Sequence, residues 1–136
     1  MKIIEKTIIL ANDPHLCIEE LHLTLESFWC SAPVDCEQQL RFSSALGEIV
    51  GNILRYALDP GDSAIMLRLR LTPRLLEARL TDWGRAWATP LAPPYVMPHH
   101  LAEHGRGLAI AAQALDQLRY RRVGNLINCW RLRVYV

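Results

Sequence analysis

Two stretches of alternating apolar and charged residues, joined by one short turn, constrain the fold of this chain more than any other feature. Residues 65–71 place an apolar side chain at every second position, with Arg68 and Arg70 between them, and residues 76–80 repeat the alternation after a turn at 72–74. A period of two is typical of strands with one buried and one exposed face. We therefore predict an antiparallel hairpin.

The rest of the chain predicts helices and further strands around this hairpin. The second helix, from about Glu37 to Ala57, carries apolar residues from Leu40 to Leu54 and is expected to be largely buried. A loop from Trp83 to Glu103 contains four prolines, and loops of this length are usually functional. The other predicted elements are a strand at 2–10, a first helix capped by Asp13 and ended by residues 31–33, a helix at 107–118 and strands at 120–123 and 127–136.

This element order predicts an α+β fold. We expect a two-layer α/β sandwich in which helices cover one face of a mixed, mostly antiparallel sheet. The length of 136 residues fits one domain, 1–136. A net charge of +1 with 21% charged residues favours neither a disordered nor a broadly nucleic-acid-binding chain.

The cysteines and the apolar runs bear on the compartment. The four cysteines show no C-x-x-C spacing and no signal peptide is recognised, so reduced thiols in the cytoplasm are expected. Metal binding by His99, His100 and His104 is less favoured than a solvated loop. No apolar run is as long as a membrane span, so no membrane contact is expected.

Three short polar signatures follow one another along the chain. The first is Glu48 to Asn52 on the second helix, where the two residues share one side because they are four apart. Their carboxylate and amide oxygens suit a cation and a phosphate chain. A solitary Glu on a polar face is the alternative, but Arg55 adds a third polar residue near the same stripe.

The second signature is Asp82-Trp83-Gly84, where a strand breaks into a turn. A carboxylate there can accept the exocyclic amine of a purine, and Gly84 allows the backbone to approach the base. Taken alone, an ordinary Asp-x-Gly turn explains this motif as well.

The third signature, Gly105-Arg106-Gly107-Leu108, immediately precedes a helix. Free backbone N–H groups and the positive end of a helix dipole form an anion site there. A simple loop-to-helix joint is the alternative, although it needs only one glycine. The order and spacing of the three signatures indicate an ATP site that is neither a Walker loop nor a Rossmann fingerprint.

This set resembles the Bergerat-fold (GHKL) ATPase superfamily, which includes histidine kinases, gyrase, Hsp90 and MutL. The best resemblance is to its small anti-sigma-factor serine/threonine kinases. It implies that Glu48 is a general base, that Asn52 holds Mg²⁺, and that Asp82 reads adenine. The resemblance extends to Arg55 and Gly84, and it places residues 105–108, namely Gly105, Arg106, Gly107 and Leu108, at the phosphates, with a lid at about 84–104.

The resemblance also implies a function. ATP with Mg²⁺ would phosphorylate a Ser or Thr of an anti-anti-sigma (STAS-domain) partner, and the kinase would then sequester a sigma factor. A cytoplasmic homodimer is implied, without direct nucleic-acid contact. One departure is Ala86, followed by Trp87, where the family usually has a glycine.

Two other functions remain open from the sequence. A non-catalytic regulator with the same fold is the first alternative, favoured by the residue at position 86 and the proline-rich lid. A nucleic-acid-binding module is the second. It would use five arginines that more readily form a solvated sheet edge or a partner surface, because no aromatic stacking platform accompanies them: Arg119, Arg121, Arg122, Arg131 and Arg133.

Overall fold

A computed structural model describes residues 2–87 and 106–136. The elements in chain order are β1 (Ile4–Leu10), α1 (Pro14–Ser31), α2 (Cys36–Asn52), a π-helical turn (Ile53–Ala57), β2 (Ile65–Leu71), β3 (Leu75–Asp82), α3 (Arg106–Ala114), β4 (Gln117–Val123) and β5 (Ile127–Tyr135). The strands form one sheet in the order β1-β2-β3-β5-β4, with antiparallel pairing throughout. The predicted α+β sandwich is confirmed, but the expectation of a mixed sheet was wrong, because every described strand pair is antiparallel.

The predicted hairpin is β2 and β3, and its alternation separates a buried from an open sheet face. Leu67 and Leu69 are fully buried, whereas Arg68 between them is exposed. The backbone N–H of Thr72 donates to the carbonyl of Leu75 at 2.8 Å and closes the turn. Burying a leucine side chain stabilises the fold by about 1.5–3 kcal/mol, so the alternation sets the register.

Carboxylates fix the starts of the first two helices. Asp13 accepts a hydrogen bond from the backbone N–H of Leu16 at 2.9 Å, with Pro14 in the first turn, as predicted. Asp35 accepts one from Gln38 at 2.8 Å and starts α2 in the same way. Each cap satisfies an N–H that the helix itself cannot pair.

Two predictions within the helices were wrong in detail. Leu40 is 68% exposed, because it lies about half a helical turn away from the side of α2 that buries Phe42 and Leu46. The last helix ends at Ala114, and Leu118 belongs to β4. Leu118 is buried in β4, and its spacing also fits a helix, so apolar spacing alone did not locate the helix end.

Most of the predicted loop and lid lies outside the described residues. Among the helices that the structure does describe, none is long and apolar enough to cross a membrane.

Candidate functional site

The buried face of the sheet ends in a row of three polar residues. Asp82 on β3 pairs in register with Asn128 on β5, which in turn pairs with Arg122 on β4. Asp82 is 0% and Asn128 1% exposed. Polar groups with so little access to water need partners within the protein or in a ligand.

The two oxygens of Asp82 differ in their surroundings. Oδ1 accepts hydrogen bonds from the backbone N–H of Gly84 at 2.9 Å and from Nδ2 of Asn128 at 2.8 Å. Oδ2 is buried and accepts no hydrogen bond within the described chain. Burial raises the pKa of Asp82, while the bonds from Asn128 and Gly84 and the charge of Arg122 act in the opposite direction. Oδ2 is therefore a buried acceptor suited to a donor from a ligand.

Asn128 organises this end of the sheet, and the sequence interpretation missed it. Its Nδ2 also donates to the carbonyl of Arg85 at 2.7 Å, and its Oδ1 accepts from the hydroxyl of Tyr120. A signal was present in the sequence. Asn128 has the same strand parity as Trp130 and Leu132, so it is a polar residue in a buried apolar stripe.

Arg122 was wrongly grouped with the arginines of the outer sheet surface. Its Nη1 donates to the carbonyl of Gly84 at 2.7 Å and to Oδ1 of Asn128 at 3.0 Å, and its Nη2 donates to the carbonyl of Asn125 at 2.9 Å. Strand residues alternate between faces, so Arg122 lies on the opposite side from Arg121. It supports the turn after Asp82.

Gly84 is required by a close approach between two backbone segments. A Cβ at this position would lie 2.2 Å from the carbonyl oxygen of Ala57, at the end of the π-helical turn. The next residue, Arg85, donates its backbone N–H to the same oxygen at 2.8 Å. The turn after β3 is thereby attached to the helix that carries the first signature.

The first and third signatures meet, as the ATP-site interpretation requires. A Cβ on Gly107 would lie 2.5 Å from Oε2 of Glu48 and 3.6 Å from Oδ1 of Asn52. Gly107 is the second residue of α3, so the carboxylate lies beside the positive end of that helix. The absence of a side chain at Gly107 thus leaves room for Glu48 and Asn52 beside the start of α3.

The remaining predicted residues of these signatures occupy different positions. Asn52 is 3% exposed; its Oδ1 accepts from Nη2 of Arg55 at 3.1 Å, and its Nδ2 has no partner among the described residues. Arg106 is exposed at the first position of α3, and Leu108 is buried. Gly105 lies outside the described residues.

Trp87 packs at the base of the site. Its ring makes edge contacts with Tyr56 and Trp130, at centroid distances of 6.1 and 5.8 Å. Its backbone N–H donates to the hydroxyl of Tyr120 at 2.9 Å. Ala86 is exposed. The residue that follows the departure at position 86 is therefore an aromatic anchor near the start of the predicted lid.

The residues present fit ATP with a magnesium ion. Oδ2 of Asp82 can accept an amine hydrogen, and Glu48 and Asn52 offer the oxygen ligands that magnesium prefers. The described residues contain no group of three His, Cys, Asp or Glu side chains that could hold a metal alone. A magnesium ion here would share its coordination between these oxygens and phosphate.

Comparisons with known proteins identify the family of this chain. A search of curated protein sequences gave no match. Among solved structures, the fold is similar to the Acinetobacter baumannii histidine kinase AdeS, with a TM-score of 0.51 and 15% identity over 96% of this chain and 67% of that one. Residues 11–134 match the family of histidine kinase-like ATPase domains. The chain therefore belongs to the histidine kinase-like ATPase domain family of the GHKL superfamily, a membership that supports ATP binding.

Proposed function

We propose that this protein is an ATP-dependent serine/threonine kinase of the anti-sigma-factor type. Its substrate would be a Ser or Thr hydroxyl on an anti-anti-sigma protein with a STAS domain, and a sigma factor would be its second partner. The proposal includes a cytoplasmic homodimer, as the family resemblance implies.

One observation carries the kinase proposal. Oε2 of Glu48 lies within 2.5 Å of the position that a Cβ on Gly107 would take, at the start of α3. Phosphate binding at the start of α3 does not need a carboxylate, since phosphate and carboxylate repel each other. Its position beside an anion-binding helix start is useful when a hydroxyl proton must be accepted next to a phosphoryl group.

In this proposal, each residue of the site has a separate role in binding or catalysis. Oδ2 of Asp82 would accept a hydrogen from the adenine amine and orient the base, while Asn128 and the turn N–H of Gly84 hold the carboxylate in place. The N–H groups at the start of α3 would bind phosphate oxygens. Glu48 would accept the proton of the attacking hydroxyl. Bound ATP supplies the phosphoryl group, and Mg²⁺, held in part by Asn52, supplies positive charge.

A non-catalytic regulator with the same fold is the second candidate, and one contact favours it. Oδ1 of Asn52 already accepts a hydrogen bond from Arg55, whose guanidinium also lies 5.6 Å from the ring centroid of Tyr56. A cation at Asn52 would have to be bound beside this positive charge. In this alternative, nucleotide binds as a structural ligand or not at all.

Glu48→Gln separates the two candidates. STAS-domain proteins of the same organism would be incubated with radiolabelled ATP and either the wild-type protein or the variant, while calorimetry measures ATP affinity. Loss of a general base lowers the rate by about 10²–10⁴-fold, whereas ATP affinity should change little. Glu37→Gln, an exposed substitution in the first turn of α2, is the matched control. Equal phosphorylation by wild type and Glu48→Gln would overturn the catalytic proposal.

A further inference from the structure

The open face of the sheet carries a row of arginines that no part of the ATP-site interpretation uses. Arg68 pairs in register with Arg79, Arg79 with Arg131, and Arg131 with Arg119, so the arginine row (these four residues) crosses β2, β3, β5 and β4. Like charges directly opposite one another destabilise a sheet. Repulsion along this row must be offset by carboxylates on the same face or by an added anion.

In the neighbouring row on the same face, carboxylates compensate the charges of the arginines. There Glu77 accepts hydrogen bonds from Arg133 at 2.6 Å and from Arg79 at 2.8 Å. Although burial acts to raise it, these two arginines hold the pKa of Glu77 below its usual value. At the other edge, Glu5 forms ion pairs with Arg68 and Arg70. Glu5 and Glu77 thus compensate the charges of four arginines of this face, namely Arg68, Arg70, Arg79 and Arg133.

In the part of the chain that the structure describes, three arginines of β4 and β5 lack such a carboxylate partner. Within residues 2–87 and 106–136, Arg119, Arg121 and Arg131 form no ion pair, and Nε of Arg131 is buried without a hydrogen-bond partner. Burial, followed by the charges of Arg133 and Arg119, lowers the pKa of Arg131. These guanidinium groups therefore favour an added anion.

A depression of about 280 Å³ lies among these arginines. Four of its eight lining residues are arginines and none is acidic. The complete lining is Arg79, Leu80, Thr81, Arg119, Arg121, Cys129, Trp130 and Arg131. The open face as a whole bears seven arginines and two glutamates on its paired positions, a net charge of +5, while the whole chain has +1. Positive charge is concentrated on this one surface.

We propose that the arginine row docks an acidic segment of a partner protein. Adjacent strands are about 4.8 Å apart, so the four arginines span about 14 Å. Carboxylates at i, i+4 and i+7 of a helix lie on one side over about 10 Å and can meet the row with guanidinium–carboxylate pairs. The proposal is independent of the kinase activity.

The surroundings of the row fit a protein better than a nucleic acid. Ile9 and Met66 are 58% and 36% exposed. They belong to the row that borders the arginine row on the side away from Glu77, and they offer apolar contacts. Arginine and methionine are enriched in protein interfaces. Within the row, the four arginines are direct register neighbours, so no aromatic side chain stands between them for base stacking.

The test uses a fluorescently labelled alanine-based helical peptide with glutamates at i, i+4 and i+7 and a matched peptide with glutamines. Wild-type protein should bind the glutamate peptide at least about tenfold more tightly in an anisotropy titration, and added salt should weaken this binding. The double variant Arg119→Gln/Arg131→Gln should lose about tenfold in affinity or more. Arg74→Gln, an exposed arginine in the β2–β3 turn, should change affinity less than about twofold.

Several results would overturn the proposal. An oligothymidylate with the same charge as the glutamate peptide is the first comparison. If it binds the wild-type protein more tightly than the peptide does, and binds the double variant more weakly, the face would be assigned to nucleic acid. Self-association of wild type that the double variant abolishes, measured by sedimentation, would assign it to a second copy of this chain. An equal loss in Arg74→Gln would show non-specific charge attraction. If the double variant fails to fold, NMR of the wild-type protein provides the test. The Nε–H signals of the arginines in the row should shift when the glutamate peptide is added. Unchanged signals would refute the docking.

Discussion

Asp82→Asn changes one atom of the candidate adenine site and leaves its scaffold in place. The amide oxygen can still accept the two hydrogen bonds that Oδ1 receives, from Gly84 at 2.9 Å and Asn128 at 2.8 Å. The amide NH₂ then replaces Oδ2, the buried oxygen that has no donor in the described chain. An acceptor facing the ligand becomes a donor. The variant thus tests how the purine is recognised with little change to the fold.

The expected loss of ATP affinity follows from one hydrogen bond to a charged group. Such a bond contributes about 1.5–3 kcal/mol, which corresponds to about 10- to 150-fold in the dissociation constant. Calorimetric titration with magnesium-ATP and magnesium-ADP measures it. Inosine triphosphate has a carbonyl oxygen in place of the adenine amine. The wild-type protein should therefore bind ATP more tightly than inosine triphosphate, and Asp82→Asn should reduce or reverse this difference in affinity. Unchanged affinity and preference would refute the assignment of Asp82 to the purine amine.

The same variant should not weaken the ligand-free fold. Folding raises the pKa of Asp82 above its usual 3.8, chiefly through burial, so the folded state binds this proton more tightly than the unfolded state does. Above the raised pKa the ionised carboxylate therefore lowers stability, and this penalty disappears as the pH falls toward 3.8. Asp82→Asn lacks the penalty. In urea unfolding, its stability relative to wild type should be greatest near neutral pH and should decline in acid.

Three other substitutions test separate parts of the structure. Gly84→Ala places a Cβ 2.2 Å from a backbone carbonyl and should lower the free energy of unfolding in urea by about 1–3 kcal/mol. The control Gly47→Ala, which has open space around it in α2, should raise that free energy by about 0.5–1 kcal/mol. Equal effects of the two variants would contradict the close approach at Gly84. Gly107→Ala should displace the carboxylate of Glu48 and reduce phosphorylation while the fold persists, and full activity would show that this contact is dispensable. Arg131→Gln should raise stability by about 0.2–1 kcal/mol at low salt, a gain that high salt should remove; a loss at low salt would argue against cross-strand repulsion.

The architecture was predictable because period-two alternation and helix caps are local properties. Leu67 and Leu69 defined the buried face of the hairpin, and Asp13 and Asp35 defined two helix starts. The end of α3 was not predictable in this way, because Leu118 satisfies both a helical and a strand pattern.

The site was predictable only in part, because its contacts depend on strand pairing. Glu48, Asn52 and Gly107 are brought together, but their catalytic and magnesium-binding roles remain predictions. Asn128 and Arg122 acquire their positions beside the carboxylate of β3 from the β3–β5 and β4–β5 registers, which the sequence does not specify.

Strand parity separates the two proposed functions within the same sheet. Arg121 and Arg122 are neighbours in sequence, yet Arg122 supports the turn after Asp82 while Arg121 lines the depression on the open face. The two sites therefore share β3, β4 and β5 but are separated by the thickness of the sheet. A substitution such as Arg131→Gln can alter partner docking without contacting the candidate nucleotide site. ATP affinity and acidic-peptide affinity should consequently respond to different variants, and a partner could dock while nucleotide remains bound on the opposite face.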